Sequence, residues 1–183
     1  MNVNYLNVEI FKGETSMAID AVDSVIEQWA RERPDVDVWP TGVISRVQRL
    51  SRLLDKELKA FFAQHDLEVW EFDVLSTLRR CGPPYERTAG AITSATMVTS
   101  GAITNRVDRM EAKGLVERVR DTTDRRTVRI RLTEHGYRLM DELIALHAAN
   151  GERILSALSR EECDRVAEAL RVLLVHLGDR RLE

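Results

Sequence analysis

The sequence predicts a mainly α-helical chain carrying one small β-hairpin. Three observations carry that reading. Apolar residues recur at helical spacing over most of the 183 residues. Residues 115–119 and 128–132 instead alternate or cluster like two short strands. Pro, Gly and hydroxyl-bearing residues fall between these segments, where helices begin and end.

The elements follow in order. Residues 1–15 show no period and read as a tail. From Ser16, the positions Ala18, Val22, Val25 and Trp29 form one helical stripe. Arg33-Pro34 ends it, because proline disfavours a helical residue before it. Residues 34–42, with Pro40, read as a linker. A long second helix carries Val43, Val47, Leu50, Leu54, Leu58 and Phe61 on one face and closes at His65-Asp66. The third helix runs from about Glu68 to Arg80, and Cys81-Gly82-Pro83-Pro84 stops it.

The segment from Thr88 to Leu132 reads as helix, turn, helix and basic two-stranded ribbon. Its second helix opens at Thr99 or Ser100, whose hydroxyls cap free N–H groups. It closes at Gly114, a residue suited to a left-handed C-terminal cap. Thr133 caps a sixth helix, from Glu134 to about Ala149. Ser159 caps a seventh, with Glu162 in capping-box register. The seventh helix carries Val166, Leu170, Leu173, Leu174 and Leu177 as an apolar stripe. The chain thus divides into a tail (1–15), an extra helix with a first dimerisation helix (16–66), a winged helix-turn-helix lobe (67–132) and C-terminal dimerisation helices (133–183).

Charge distribution supports that division. The chain is net −3, yet residues 83–132 hold ten Lys/Arg against six Asp/Glu, a local +4 that leaves −7 elsewhere. A basic lobe on an acidic body directs one face to phosphate. A winged helix-turn-helix places its second helix in the DNA major groove and its basic hairpin against the backbone or minor groove. On the second helix Ser100, Thr104, Asn105 and Arg109 face outward toward DNA, and Thr99 serves as cap with a phosphate in reach. In the wing Arg125 and Arg126 flank the tip, and Asp124 pairs with a neighbouring arginine. The apolar helices at both ends exceed what one small lobe covers, so a homodimer on a palindromic operator is expected.

Other classes find less support. Cys81 and Cys163 form no metal or disulfide pattern, and the four histidines are dispersed. Cys81 follows a helix C-terminus, without the positive dipole that stabilises a thiolate, which argues against a peroxide switch. No phosphate loop, nucleophile elbow or HExxH motif suggests an enzyme. A pure interaction module explains the apolar helices but not the basic lobe. Without a signal peptide or a long apolar run, a cytoplasmic protein is expected.

The wing, with Asp124-Arg125-Arg126 followed by Arg129-Ile130-Arg131-Leu132-Thr133-Glu134-His135-Gly136, resembles that of the MarR family of winged-helix repressors. The resemblance runs from about residue 43 to the end. It implies a dimer, a palindromic operator and release of DNA when a small ligand binds. The extra N-terminal helix is similar to that of the urate-responsive (PecS/HucR-like) branch. That branch implies four ligand-binding positions, matched here by Trp29, Asp73, Arg106 and Arg118. It implies no cofactor, only an effector such as urate or xanthine; an unrelated aromatic or anionic molecule is the alternative.

Their own chemistry leaves alternatives open. At about 100° per residue, Arg106 lies roughly 60° from the centre of the Ile103–Val107–Met110 face. It is a border residue, suited to an effector, to snorkelling over the core or to a phosphate. Asp73 sits among apolar neighbours and needs a partner; Arg118 is the one the resemblance implies, Thr77 or Arg80 the local alternatives. Trp29 continues an apolar stripe, with its indole N–H free to donate. The expected ligand-free state pairs Asp73 with Arg118, and an anion on Arg106 near Asp73 disturbs that pair.

Overall fold

The computed structural model describes residues 19–96, 100–120 and 127–179. These comprise seven helices and three short strands: α1 (Ala21–Glu32), α2 (Trp39–Ala63), α3 (Val69–Arg80), β1 (Glu86–Thr88), α4 (Ala89–Thr96), α5 (Ser100–Ala112), β2 (Val116–Arg120), β3 (Val128–Leu132), α6 (Glu134–Ile154) and α7 (Arg160–His176). They fall into two compact units, divided between residues 57 and 58.

In the first unit, Asp20 caps α1: its carboxylate accepts from the backbone N–H groups of Val22 and Asp23, and the Asp23 carboxylate accepts from Asp20 N–H. Arg46 on α2 reaches the same two carboxylates at 2.8 and 2.6 Å. The expected linker is shorter than its proline suggested, since α2 begins at Trp39 and includes Pro40 and Gly42. Proline in a first helical turn loses no hydrogen bond, because those N–H groups have no intrahelical acceptor. The beginning of the expected first stripe, at Ser16 and Ala18, lies outside the described residues.

The second unit has one core. Leu75, Leu78, Val74 and Phe72 of α3 pack with Ile92 of α4, Ile103, Val107 and Met110 of α5, Val116 and Ile130 of the sheet, and Met140 and Leu143 of α6. Gly114, at φ +68°, turns the chain from α5 into β2. The wing sheet has three strands in the order β1-β3-β2, all antiparallel. Glu86 pairs with Arg131, and Arg118 with Ile130. The sequence suggested only the β2–β3 hairpin; a three-residue strand shows no period of its own. Thr133 caps α6, its hydroxyl accepting from Gly136 N–H at 3.0 Å. That helix continues to Ile154, beyond the expected end near Ala149. Ser159 and Glu162 form the expected capping box of α7.

Candidate functional site

The core fixes the orientation of α5. Ile103, Val107 and Met110 are buried, while Thr104, Asn105, Asp108 and Arg109 are exposed on the other faces. Ser100 opens the helix. Thr99, Asp124, Arg125 and Arg126 lie outside the described residues. The wing strands rise beside α5, so that helix and ribbon form one candidate nucleic-acid interface.

Two contacts fasten α5 to its supports. Glu71 on α3 is wholly buried, and its carboxylate accepts from Lys113 Nζ at 2.9 Å; the same Nζ donates to Asp66 O at 2.7 Å. Arg118 on β2 pairs with Asp108 at 2.7 Å and with Glu111, whose carboxylate also accepts Arg118 N–H at 2.9 Å. The expected Asp73–Arg118 pair is therefore replaced. Asp108 and Glu111 lie on the side of α5 adjacent to β2, within direct reach of an arginine on that strand. Arg118 ties β2 to α5.

Asp73 has a different neighbourhood. It is half-buried, and that burial raises its carboxyl pKa above the ordinary value. Arg80, Arg106 and His147 act against the shift, placing Arg106 and His147 within electrostatic reach of the carboxylate. Asp73 and Arg106 are thus brought together. Arg106 lays its guanidinium over the Trp70 ring, 5.0 Å from the centroid, with its Nη1 buried and unpartnered. Trp29 belongs to the first unit, on α1, and is 48% exposed.

Three contributors were not singled out from sequence. Trp70 receives both Arg106 and Arg109; two arginines three residues apart on one helix were the available signal. His147 and Asn150, a turn apart on α6, each hold a buried unpartnered nitrogen, Nδ1 and Nδ2. Nothing local to α6 marks His147, because its setting is created by Phe62 of α2 and Phe72 of α3. The His147 ring lies against Phe72 at 4.6 Å and Phe62 at 5.4 Å.

Burial pushes the His147 pKa below the usual 6.5, with Asp73 opposing. The unfolded chain therefore takes up this proton more readily than the folded one. Stability from this group is present above the ordinary histidine pKa and is lost as pH falls below it. The raised Asp73 carboxyl works in the opposite sense, in the carboxylate range, where stability falls as pH rises. As pH falls below the ordinary histidine range the protein should lose stability, with His147 one source of the loss. His147→Leu should remove that portion in urea titrations; an identical pH profile in the variant would refute it.

A model of the MarR family matches residues 65–127. The HTH-type transcriptional regulator PecS of Dickeya dadantii (strain 3937) is 38% identical over 160 residues, covering 87% of this chain and 96% of that protein. Among solved structures, AbsC, a MarR family transcriptional regulator from Streptomyces coelicolor, superposes with a TM-score of 0.71 at 23% identity, covering 79% of this chain and 98% of that one. A mutant MarR from E. coli complexed with operator DNA gives 0.66 at 22% identity, over 76% and 99%. The structural likenesses concern the fold; the sequence relative extends along most of both chains.

Proposed function

The chain belongs to the MarR family of transcriptional regulators, and from that premise we propose that it is a homodimeric repressor, bound to a palindromic operator and released by urate or a related purine. It is a regulator and not an enzyme.

DNA binding is supported by the exposed side of α5, by the wing beside it and by the local excess of basic residues. Thr104, Asn105 and Arg109 are the described residues assigned to DNA, with Ser100, Thr99, Arg125 and Arg126 added from sequence. The dimer is supported by apolar surface left open on the helices of each unit. Val43, Ile44, Val47, Leu50 and Leu53 of α2 are all exposed, and α7 buries no residue. Among the described residues no helix is long and apolar enough to cross a membrane. A cytoplasmic setting is part of the proposal.

Effector binding rests on one observation above all: the buried, unpartnered Nη1 of Arg106, beside half-buried Asp73. A buried cationic donor without an acceptor favours an anion that supplies one. Urate is a planar anion at neutral pH, and Arg106 is carried on the helix whose outer side meets DNA. On the sequence resemblance alone Trp29 is assigned to the purine edge; Arg118 is assigned to holding the wing in register with α5. A hundredfold loss of DNA affinity requires about 2.7 kcal/mol of coupling, within the range one ligand provides.

The test is fluorescence anisotropy on the DNA upstream of the protein's own coding sequence, at fixed salt. Urate should release the DNA and salicylate at equal concentration should not. Arg106→Ala should lose at least about tenfold of the urate effect, measured against its own DNA affinity without urate. Release by salicylate alone would transfer the site to a different aromatic anion. Full release of the Arg106→Ala protein by urate would remove the purine from this site.

A further inference from the structure

Trp70, at the start of α3, receives two guanidinium groups of the recognition helix. Arg106 lies 5.0 Å and Arg109 5.1 Å from its ring centroid. The indole Nε1–H donates to Glu68 Oε2 at 2.6 Å. The other Glu68 oxygen accepts from Arg109 Nη2. Those bonds, from Trp70 first and Arg109 second, hold the Glu68 carboxyl below its usual pKa. One carboxylate thus fixes both an aromatic ring and an arginine assigned to DNA. The same ring bears the arginine assigned to the effector.

Arg109 cannot serve Glu68 and a DNA phosphate or base with the same donors. Its side chain is 55% exposed and Glu68 52%, so the pair is open to solvent and exchange is inexpensive. Arg106 and Arg109 are both attracted to the ring and repel one another. An anion on Arg106 cancels part of that repulsion and leaves Arg109 more firmly held.

We propose that Glu68 and Trp70 form a clamp on Arg109 that operator DNA must open, and that an anion bound at Arg106 tightens it. The proposal rests on the reading of the chain as a DNA-binding regulator released by an effector. It adds the route: the effector withholds a DNA-contacting arginine through a shared indole, without needing to displace the whole helix.

The protein is titrated onto its own upstream DNA at several salt concentrations, first without effector. Glu68→Gln keeps a hydrogen-bonding side chain before α3 and removes the charge. It should tighten DNA binding about two- to fivefold and steepen the salt dependence by up to about one counterion, because no carboxylate is freed to recapture a cation. Trp70→Phe keeps a ring and drops the indole bond to Glu68; it should act in the same direction with smaller size. Arg109→Ala should weaken binding and make a further Glu68→Gln change silent. Thermal unfolding of each variant establishes that it is folded.

With urate added, the release factor of Glu68→Gln should shrink by about the same two- to fivefold. Unchanged or weaker DNA binding in both folded variants overturns the clamp, whatever urate does. Unchanged binding by Arg109→Ala overturns it as well, since Arg109 would then not reach DNA. Tighter variants together with a wild-type protein indifferent to urate keep the clamp and overturn its tightening by urate. That last result is the failure of the effector reading alone.

Discussion

Lys113→Met should lower the free energy of unfolding by about 3 kcal/mol. The Glu71 carboxylate is wholly buried and, among the described residues, receives two hydrogen bonds: Lys113 Nζ at 2.9 Å, on Oε2, and the backbone N–H of Glu68 at 2.8 Å, on the same oxygen. Its Oε1 is buried without a partner. Removing the ammonium leaves a charge in the core with one backbone donor. Loss of one member of a buried pair is far more damaging than the pair is stabilising. The lysine also holds Asp66 O at 2.7 Å, so the end of α2 loses a contact in the same change.

Urea unfolding of Lys113→Met, Glu71→Gln and the double variant separates these contributions. Glu71→Gln should cost less than Lys113→Met, because it removes the charge together with half of the pair. The double variant should be more stable than Lys113→Met alone. A Lys113→Met midpoint within about 1 kcal/mol of the parent would show that solvent reaches Glu71 easily. The consequence extends to DNA. Lys113 follows the last residue of α5, so the pair anchors the end of that helix to the start of α3. A loosened anchor should also weaken operator binding, before any DNA-facing residue is altered.

What could be read from sequence follows the range of each interaction. Helix ends were readable because Thr133, Ser159 and Gly114 act on residues within four positions. The buried face of α5 was readable because Ile103, Val107 and Met110 repeat at the helical period. β1 was not, since residues 86–88 become a strand only by pairing with 129–131 of β3. The partners of Arg118 differ from the expected Asp73 for a similar reason. Asp73, Asp108 and Glu111 all offer carboxylates, and only the packing of β2 beside α5 decides among them. Arg106 lies at the border of the core, as its place on the helix predicts. Its aromatic partner, Trp70, lies 36 positions earlier in the chain, and no local pattern joins the two. Local chemistry thus predicted the frame of the site, and long-range packing determined how charges are wired within it.

Two identical substitutions on α6 should have opposite effects. Gly136→Ala should destabilise the protein by about 3 kcal/mol, the upper end for an overpacked core. A Cβ at Gly136 would stand 2.1 Å from Leu115 O and 3.0 Å from Leu115 C. Both are backbone atoms at the passage from α5 into β2, so no side-chain rotation relieves the clash. Leu115 O also accepts Thr133 N–H at 3.2 Å, and Thr133 Oγ1 donates to Gly114 O at 2.6 Å. The first turn of α6 must move away from that passage, stretching its own cap. Gly151→Ala, later on the same helix, meets no heavy atom within 4 Å. It should stabilise the chain by about 0.5–1 kcal/mol, because alanine loses less backbone entropy in a helix. Paired urea titrations decide the matter. Equal behaviour of the two variants would mean that α6 does not bear on Leu115. Opposite shifts, with operator binding impaired only in Gly136→Ala, would show that close approach of α6 to Leu115 supports the DNA-binding lobe.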